Sequence, residues 1–85
     1  MGDHGTVKLY ALSTCTHCKA LIEFLQENGV EFSFVNIDEL EGKERRDMVK
    51  EVKRFNPRCT FPTLVVGEQV VVGFRIEEIK EALDL

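Results

Sequence analysis

Apolar residues recur along the chain with two different periods, and the change from one period to the other separates strands from helices. In the first strand Val7, Leu9 and Ala11 share one face while Tyr10 and Leu12 share the other, so we expect both faces of this strand to be covered. The same reasoning predicts strands at residues 7–12, 31–37, Thr63–Val66 and Gln69–Val72, and helices at residues 15–28, 41–54 and 74–83.

The order of these elements, β-α-β-α-β-β-α, predicts an α/β fold. The first strand-helix-strand unit requires two parallel strands joined by a right-handed crossover. The two-residue connection Gly67-Glu68 predicts an antiparallel hairpin with a type II′ turn. We therefore expect residues 7–85 to form one domain, a four-stranded mixed sheet with three helices covering both faces. Residues 1–6 have no apolar pattern and are expected to be a flexible N-terminal leader.

Composition and charge exclude several classes of function. Eighty-five residues, 44% of them hydrophobic, suffice for one small domain. The net charge of −4 and the lack of a basic block argue against nucleic acid as a partner. No apolar run reaches the ~18 residues that a membrane span needs. An odd number of cysteines, two of them in a C-x-x-C pair, is unlike the disulfide framework of a small secreted protein. We therefore expect a cytoplasmic protein in a reducing compartment. Separately, we expect a monomer.

The pair Cys15 and Cys18 carries the candidate chemistry. Cys15 lies where a strand gives way to a helix, and the unpaired N–H groups and the positive end of the helix dipole favour its thiolate there. The thiolate, not the thiol, attacks disulfides. Because only two residues intervene, Cys18 lies on the same helical turn and can displace a mixed disulfide formed at Cys15. This location favours redox chemistry over a zinc site, which also uses C-x-x-C.

His17, between the two cysteines, allows two interpretations. As an imidazolium it would stabilise the Cys15 thiolate and hence the reduced form, which makes the protein more oxidising. Alternatively, it is an exposed polar residue of the first helical turn with only a weak influence.

Three short segments carry a family resemblance: residues 10–18 (Tyr-Ala-Leu-Ser-Thr-Cys-Thr-His-Cys), 60–63 (Thr-Phe-Pro-Thr) and 72–75 (Val-Gly-Phe-Arg). With the element order, they resemble a glutaredoxin-type member of the thioredoxin-fold superfamily over about residues 7–84. The resemblance implies a thiol-disulfide oxidoreductase that reduces protein or mixed disulfides. It implies that Cys15 is the nucleophile and Cys18 the resolving thiol.

The resemblance also implies where substrates bind. It implies that Phe61-Pro62 is a cis peptide opposite the active site, where the backbone of Phe61 can pair with an extended substrate chain. The alternative is an ordinary trans proline that opens a strand. Arg58 matches a basic family position that can hold a carboxylate, the alternative being a solvated loop arginine. The substrate-binding residues implied are Thr16, Arg58, Phe61, Pro62, Gly73 and Phe74.

Two positions differ from the glutathione-using members of the family. Leu12 occupies the place of a lysine that usually precedes the first cysteine, and Arg75 stands where an aspartate holds the γ-glutamyl end of glutathione. The segment 73–75 instead resembles the glutaredoxin-sized redoxins that serve ribonucleotide reductase and that a thioredoxin reductase reduces. The electron donor therefore stays open between glutathione and a flavoprotein of the thioredoxin reductase type, and no bound cofactor is expected.

Cys59, three residues before Pro62, allows three interpretations: a third redox thiol, a metal ligand, or a small buried hydrophobe without reactivity. An alternative function follows from the same atoms. Cys15, Cys18 and Cys59 with His17 could bind zinc or copper, and Cys15 could anchor a shared iron–sulfur cluster. Because a second spaced ligand pair is missing, redox chemistry is preferred and no metal ligand is predicted.

Overall fold

The computed structural model describes residues 6–85 and contains the helices and strands in the predicted order. The strands are β1 (Val7–Ala11), β2 (Ser33–Asn36), β3 (Thr63–Val66) and β4 (Gln69–Val72), and the helices are α1 (Thr16–Glu27), α2 (Gly42–Phe55) and α3 (Ile76–Leu83). A 3-10 turn, Ile37–Glu39, follows β2.

The four strands form one mixed sheet in the order β2-β1-β3-β4. Strand β1 pairs in parallel with β2, with Leu9 opposite Phe34, and antiparallel with β3, with Leu9 opposite Leu64. Strands β3 and β4 form the predicted hairpin, and Gly67 takes the positive φ of 60° that a type II′ turn requires at its first central position. The predicted fold class is therefore confirmed.

Two hydrophobic cores lie on opposite faces of this sheet, as the alternation along β1 predicted. The first core lies against α1 and α3 and consists of Val7, Leu9, Ala11, Cys18, Leu21, Leu25, Leu64, Val66, Val71, Ile79, Ala82 and Leu83. The second core lies against α2 and consists of Tyr10, Ile37, Val52 and Val65. Full burial of one such large aliphatic side chain contributes about 1.5–3 kcal/mol, so these two cores dominate the stability of the fold.

Several element boundaries differ from those expected. Strand β2 begins at Ser33 because Glu31 and Phe32 do not pair with β1, and it ends before Ile37, which starts the 3-10 turn and buries its side chain in the second core. Helix α3 begins at Ile76, later than the apolar pattern predicts. The cause is the backbone before it, since Gly73 has a φ of 87° and Arg75 is extended.

Residues 1–5 of the expected leader lie outside the described residues. The carbonyl of Thr6, its last residue, accepts a hydrogen bond from the Gly67 N–H at 2.9 Å. Among the helices of residues 6–85, none combines the length and the apolar character needed to cross a membrane.

Candidate active site

Cys15 is the N-cap residue of α1. Its backbone is extended, with φ −82° and ψ 115°, and its Sγ accepts a hydrogen bond from the N–H of Cys18 at 3.3 Å. In this position the sulfur takes the place of the hydroxyl or carboxylate oxygen that usually caps a helix. The Cys15 N–H in turn donates to the Leu12 carbonyl at 3.1 Å, which closes a tight turn between β1 and α1. The half-buried Cys15 thiol therefore lies at the end of the helix that favours a negative charge.

Cys18 lies on the same turn but in a different environment. Its side chain is 1% exposed and belongs to the first core, and both thiols are free. Burial, which is the largest cause, and the hydrogen bond with the Cys15 side chain together raise the pKa of the Cys18 thiol to about 12. A backbone hydrogen bond from Leu12 acts in the opposite direction. Cys18 therefore stays protonated at neutral pH while it lies beside Cys15.

The turn that leads into Cys15 is hydrogen-bonded to the 3-10 turn that follows β2. Asp38, in the 3-10 turn, accepts hydrogen bonds from both the backbone N–H of Ser13, at 2.9 Å, and the Ser13 hydroxyl. These bonds, the side-chain bond first, lower the pKa of the Asp38 carboxyl below its usual range. The parallel pairing of β1 and β2 explains the contact, because it brings the carboxyl ends of both strands to the same edge of the sheet.

A second segment of the candidate site is formed by residues that precede β3 and follow β4. The Phe61-Pro62 peptide is cis, as the family resemblance implied, and the carbonyl of Pro62 accepts a hydrogen bond from the Gly73 N–H at 2.8 Å. Pro62 is fully buried, whereas Phe61 is half-buried and packs against both cores. Cys15 packs against the first of these cores too, so the two segments share one apolar support.

Asn56 holds the loop before Phe61, a role that the sequence did not reveal. The residue is only 4% exposed, and its Nδ2 donates to the Thr60 carbonyl at 3.1 Å and to Thr63 Oγ1 at 3.1 Å. Its Oδ1 accepts from the Arg58 N–H at 3.2 Å. The sequence predicted only that Asn56-Pro57 ends α2. A buried asparagine that bonds a following loop leaves no periodic signal, although asparagine commonly bonds nearby backbone groups in turns.

The other predicted site residues lie at the surface. Thr16 and His17 are exposed on the first turn of α1, and Arg58 and Phe74 are exposed beside the second segment. Within residues 6–85 the side chain of His17 makes no hydrogen bond or ion pair, so only its closeness in sequence links it to Cys15. The roles of all four residues stay predictions.

Leu12 and Arg75, the two positions that differ from the glutathione-using members, both make local contacts in the structure. Leu12 is half-buried and packs against the second core, so its side chain supports the fold instead of offering a positive charge. Arg75 is the N-cap residue of α3 without a side-chain capping bond, and it forms an exposed ion pair with Glu78 at 3.6 Å.

Cys59 is half-buried against the second core, with a positive φ of 51°, and its N–H donates to the Asn56 carbonyl at 2.8 Å. Cys15, His17, Cys18 and Cys59 all lie in the described part of the chain. No three of them come together there in an arrangement that could hold a metal ion.

The comparisons with known proteins agree with this architecture. A sequence model of the family described as Glutaredoxin matches residues 7–71. The glutaredoxin of Methanosarcina mazei Go1 is 46% identical with a TM-score of 0.89, and the match covers 96% of this chain and 81% of that one. The methanoredoxin of Methanosarcina acetivorans is 41% identical with a TM-score of 0.91, over 96% of this chain and 87% of that one.

A curated relative supports the same assignment. An uncharacterized glutaredoxin-like 8.6 kDa protein in the rubredoxin operon of Clostridium pasteurianum is 27% identical over 78 residues, which are 92% of this chain and 97% of that protein. The fold and the two cysteines at the start of α1 place the molecule among the thioredoxin-fold proteins with thiol redox function. Within that class, the chain belongs to the glutaredoxin family.

Proposed function

We propose that this protein reduces protein disulfides and mixed disulfides by a dithiol mechanism, with Cys15 as the attacking thiol and Cys18 as the resolving thiol. The observation that carries the proposal is the contrast between the two sulfurs. Cys15 is half-buried, and its Sγ accepts a hydrogen bond from an N–H at the N-terminus of α1. Cys18 is buried on the same turn, and its thiol is hydrogen-bonded to Cys15. Of these two thiols, Cys15 is the one placed to meet a large substrate.

The reaction has two exchange steps. In the first, the Cys15 thiolate attacks one sulfur of the substrate disulfide, the S–S bond breaks, and the other substrate sulfur leaves as a thiolate that takes up a proton. In the second, Cys18 loses its proton and attacks Cys15 Sγ, the bond between Cys15 and the substrate sulfur breaks, and a Cys15–Cys18 disulfide forms. The second substrate sulfur leaves as a thiolate that takes up a proton. The protein pair loses two electrons and the substrate gains them. A glutathione- or flavoprotein-type donor then returns two electrons to the pair.

The environment of Cys18 supports this order of steps. Burial raises the pKa of the Cys18 thiol most, and the hydrogen bond with Cys15 and the charge interaction with Cys15 raise it as well. Once Cys15 is held in a mixed disulfide, its sulfur carries no charge, so the two contributions from Cys15 weaken while the effect of burial remains. The Cys18 thiol then loses its proton more readily, at the stage where a second nucleophile is needed.

The segment around Phe61 is suited to hold the substrate backbone. Within residues 6–85, neither the N–H nor the C=O of Phe61 takes part in a backbone–backbone hydrogen bond. An extended substrate segment can pair with both groups as an added strand. We assign the neighbouring Gly73 and Phe74, with Thr16 and Arg58, to the same substrate-binding surface.

Matched serine variants test the proposal. We expect Cys15→Ser to abolish reduction of a disulfide-linked test peptide. Cys18→Ser should accumulate a protein–peptide mixed disulfide, seen by non-reducing electrophoresis and mass spectrometry. Cys59→Ser is the control and should retain turnover. Equal trapping by the Cys15 and Cys18 variants, or loss of turnover in the Cys59 variant, would overturn the assigned roles.

A further inference from the structure

The contact between Asp38 and Ser13 joins two segments that are 25 residues apart in the chain. Both oxygens of the carboxylate are used, Oδ1 by the Ser13 N–H and Oδ2 by the Ser13 hydroxyl. Two bonds to one residue fix both its position and its orientation. A carboxylate that accepts two hydrogen bonds in this way is a stronger and more directional acceptor than a neutral group.

Asp38 is itself held from two other directions. The preceding residue, Ile37, is 5% exposed and is anchored in the second core. The backbone carbonyl of Asp38 accepts a hydrogen bond from Arg45 Nη2, on α2, at 3.0 Å. The carboxylate is therefore presented by a segment that both the core and a helix restrain, although its own side chain is at the surface.

Ser13 is the first central residue of the turn that delivers Cys15 to the start of α1. The N–H of Cys15 bonds the carbonyl of Leu12, directly before Ser13, so the turn has little freedom once Ser13 is held. The position of Cys15 in turn decides whether its Sγ accepts the hydrogen bond from the Cys18 N–H. We propose that Asp38 is a positioning residue, whose carboxylate fixes the Ser13 turn and thereby keeps the Cys15 sulfur at the helix N-terminus. The inference rests on the proposed function only in taking Cys15 as the reacting thiol.

The sign of the effect separates positioning from simple electrostatics. A negative charge near Cys15 disfavours the thiolate, so a purely electrostatic Asp38 would make Cys15 react faster once the charge is removed. Positioning predicts the opposite, because loss of the two bonds frees the turn and moves the sulfur away from its donor. The amide of Asp38→Asn keeps an acceptor for the Ser13 N–H without the charge, whereas Asp38→Ala keeps neither.

The test measures the rate constant for iodoacetamide alkylation of reduced Cys15 at pH 7 by peptide mass spectrometry, in Asp38→Ala, Asp38→Asn and Ser13→Ala. We expect Asp38→Ala to slow alkylation by roughly threefold to tenfold, since small displacements of a reacting group have effects of this size or larger. Asp38→Asn and Ser13→Ala should be intermediate. In turnover, kcat of Asp38→Ala should fall with KM unchanged. The control is Asp47→Ala, an exposed carboxylate on α2 paired with Lys43, which should leave both rates unchanged.

Two results would overturn the inference: equal alkylation rates in the wild type and all three variants, or faster alkylation in both Asp38 variants. Thermal unfolding of each variant identifies a loss of structure. If Asp38→Ala does not fold, the alkylation rates of the wild type, Asp38→Asn and Ser13→Ala decide. Slower alkylation in these two variants supports the inference, and equal or faster alkylation overturns it. Alkylation does not require disulfide reduction. A wild type without reductase activity would therefore contradict the proposed function and leave the positioning of Cys15 to be judged by alkylation alone.

Discussion

The backbone N–H of Cys18 lies 3.3 Å from Cys15 Sγ, so the residue that carries the buried thiol also supplies the hydrogen bond to the other thiol. One turn of α1 therefore creates two sulfur environments of opposite kind. The Cys15 sulfur, at the helix end, accepts a hydrogen bond from an N–H group. The Cys18 sulfur, inside the turn, is shielded from water by the first core. This difference arises from a spacing of three residues along a helix and needs no other charged residue.

The first prediction is that iodoacetamide at pH 7 modifies Cys15 much faster than Cys18, by at least about 100-fold. With a pKa of about 12, only about one Cys18 thiol in 10⁵ is ionised at this pH, and the side chain is also buried. Quantitative peptide mass spectrometry of the reduced protein measures both rates, with unfolded protein as the control in which the thiols should become equally reactive. Comparable rates in the folded protein would contradict the assignment of the resolving thiol.

The fold could be predicted from the sequence because it depends on periodicity. The alternation of Val7, Leu9 and Ala11 against Tyr10 identified the two faces of the sheet, and the Gly67-Glu68 pair identified the hairpin. Each of these signals is local and involves apolar burial or turn chemistry, which act over a few residues. The C-x-x-C pair was equally visible, because both of its residues lie on one helical turn.

The polar supports of the site could not be predicted in this way. Asp38 and Ser13 are separated by 25 residues, and neither interrupts a periodic pattern. Asn56 indicated the end of α2, but its bonds to Thr60 and Thr63 depend on the path of the following loop. The cis peptide before Pro62 came from the family resemblance alone. Polar contacts between distant segments depend on the completed fold, whereas the periodic patterns that predict strands and helices are local.

The second prediction concerns His17. Replacement by alanine should make the protein more reducing, because a positive charge near the Cys15 thiolate stabilises the reduced form. The side chain is exposed and has no hydrogen bond within residues 6–85, so we expect a small shift of roughly 10–30 mV, where about 30 mV corresponds to a tenfold change in the equilibrium constant. Equilibration with a glutathione redox buffer measures the potential. Gln26→Ala, at the other end of α1, is the control. An unchanged potential would show that His17 has only the weak influence of an exposed polar residue.

The third prediction is that glutathione is a poor electron donor compared with a flavoprotein of the thioredoxin reductase type. The family resemblance implies that Leu12 and Arg75 stand where glutathione-using members usually carry a lysine and an aspartate, and Arg75 would repel the ammonium group of the γ-glutamyl end. Turnover with each donor, side by side, measures the preference. Efficient reduction of the wild type by glutathione would refute this prediction.

A restored charge gives the donor prediction a sharper test. Arg75 is the N-cap residue of α3 and makes no side-chain capping bond, and aspartate is a preferred N-cap residue. Arg75→Asp should therefore fold normally and raise kcat/KM for glutathione by roughly twofold to fivefold, the effect of about one surface-exposed charge contact. Arg75→Ala removes the positive charge without adding a negative one and should give a smaller gain. Equal values for both variants would show that an acidic group at this position does not contribute.

The fourth prediction concerns acid stability and involves Glu51. This carboxylate accepts a hydrogen bond from the Tyr10 hydroxyl and lies 3.1 Å from Lys8 Nζ, and these contacts, the Tyr10 bond first, lower its pKa below the ordinary value of 4.5. Because the folded-state pKa is the lower one, the carboxylate stabilises the fold above pH 4.5, and this stabilisation is lost as the pH falls through the folded-state pKa. Glu51→Gln should therefore lower the free energy of unfolding by about 1 kcal/mol at pH 7 and reduce its decline in acid. Urea unfolding from pH 7 to about pH 3 measures this difference.

Glu68→Gln, in the exposed β3–β4 turn, is the control and should follow the wild type. Parallel curves for the wild type and Glu51→Gln would show that the Tyr10–Glu51–Lys8 contacts do not contribute to acid sensitivity.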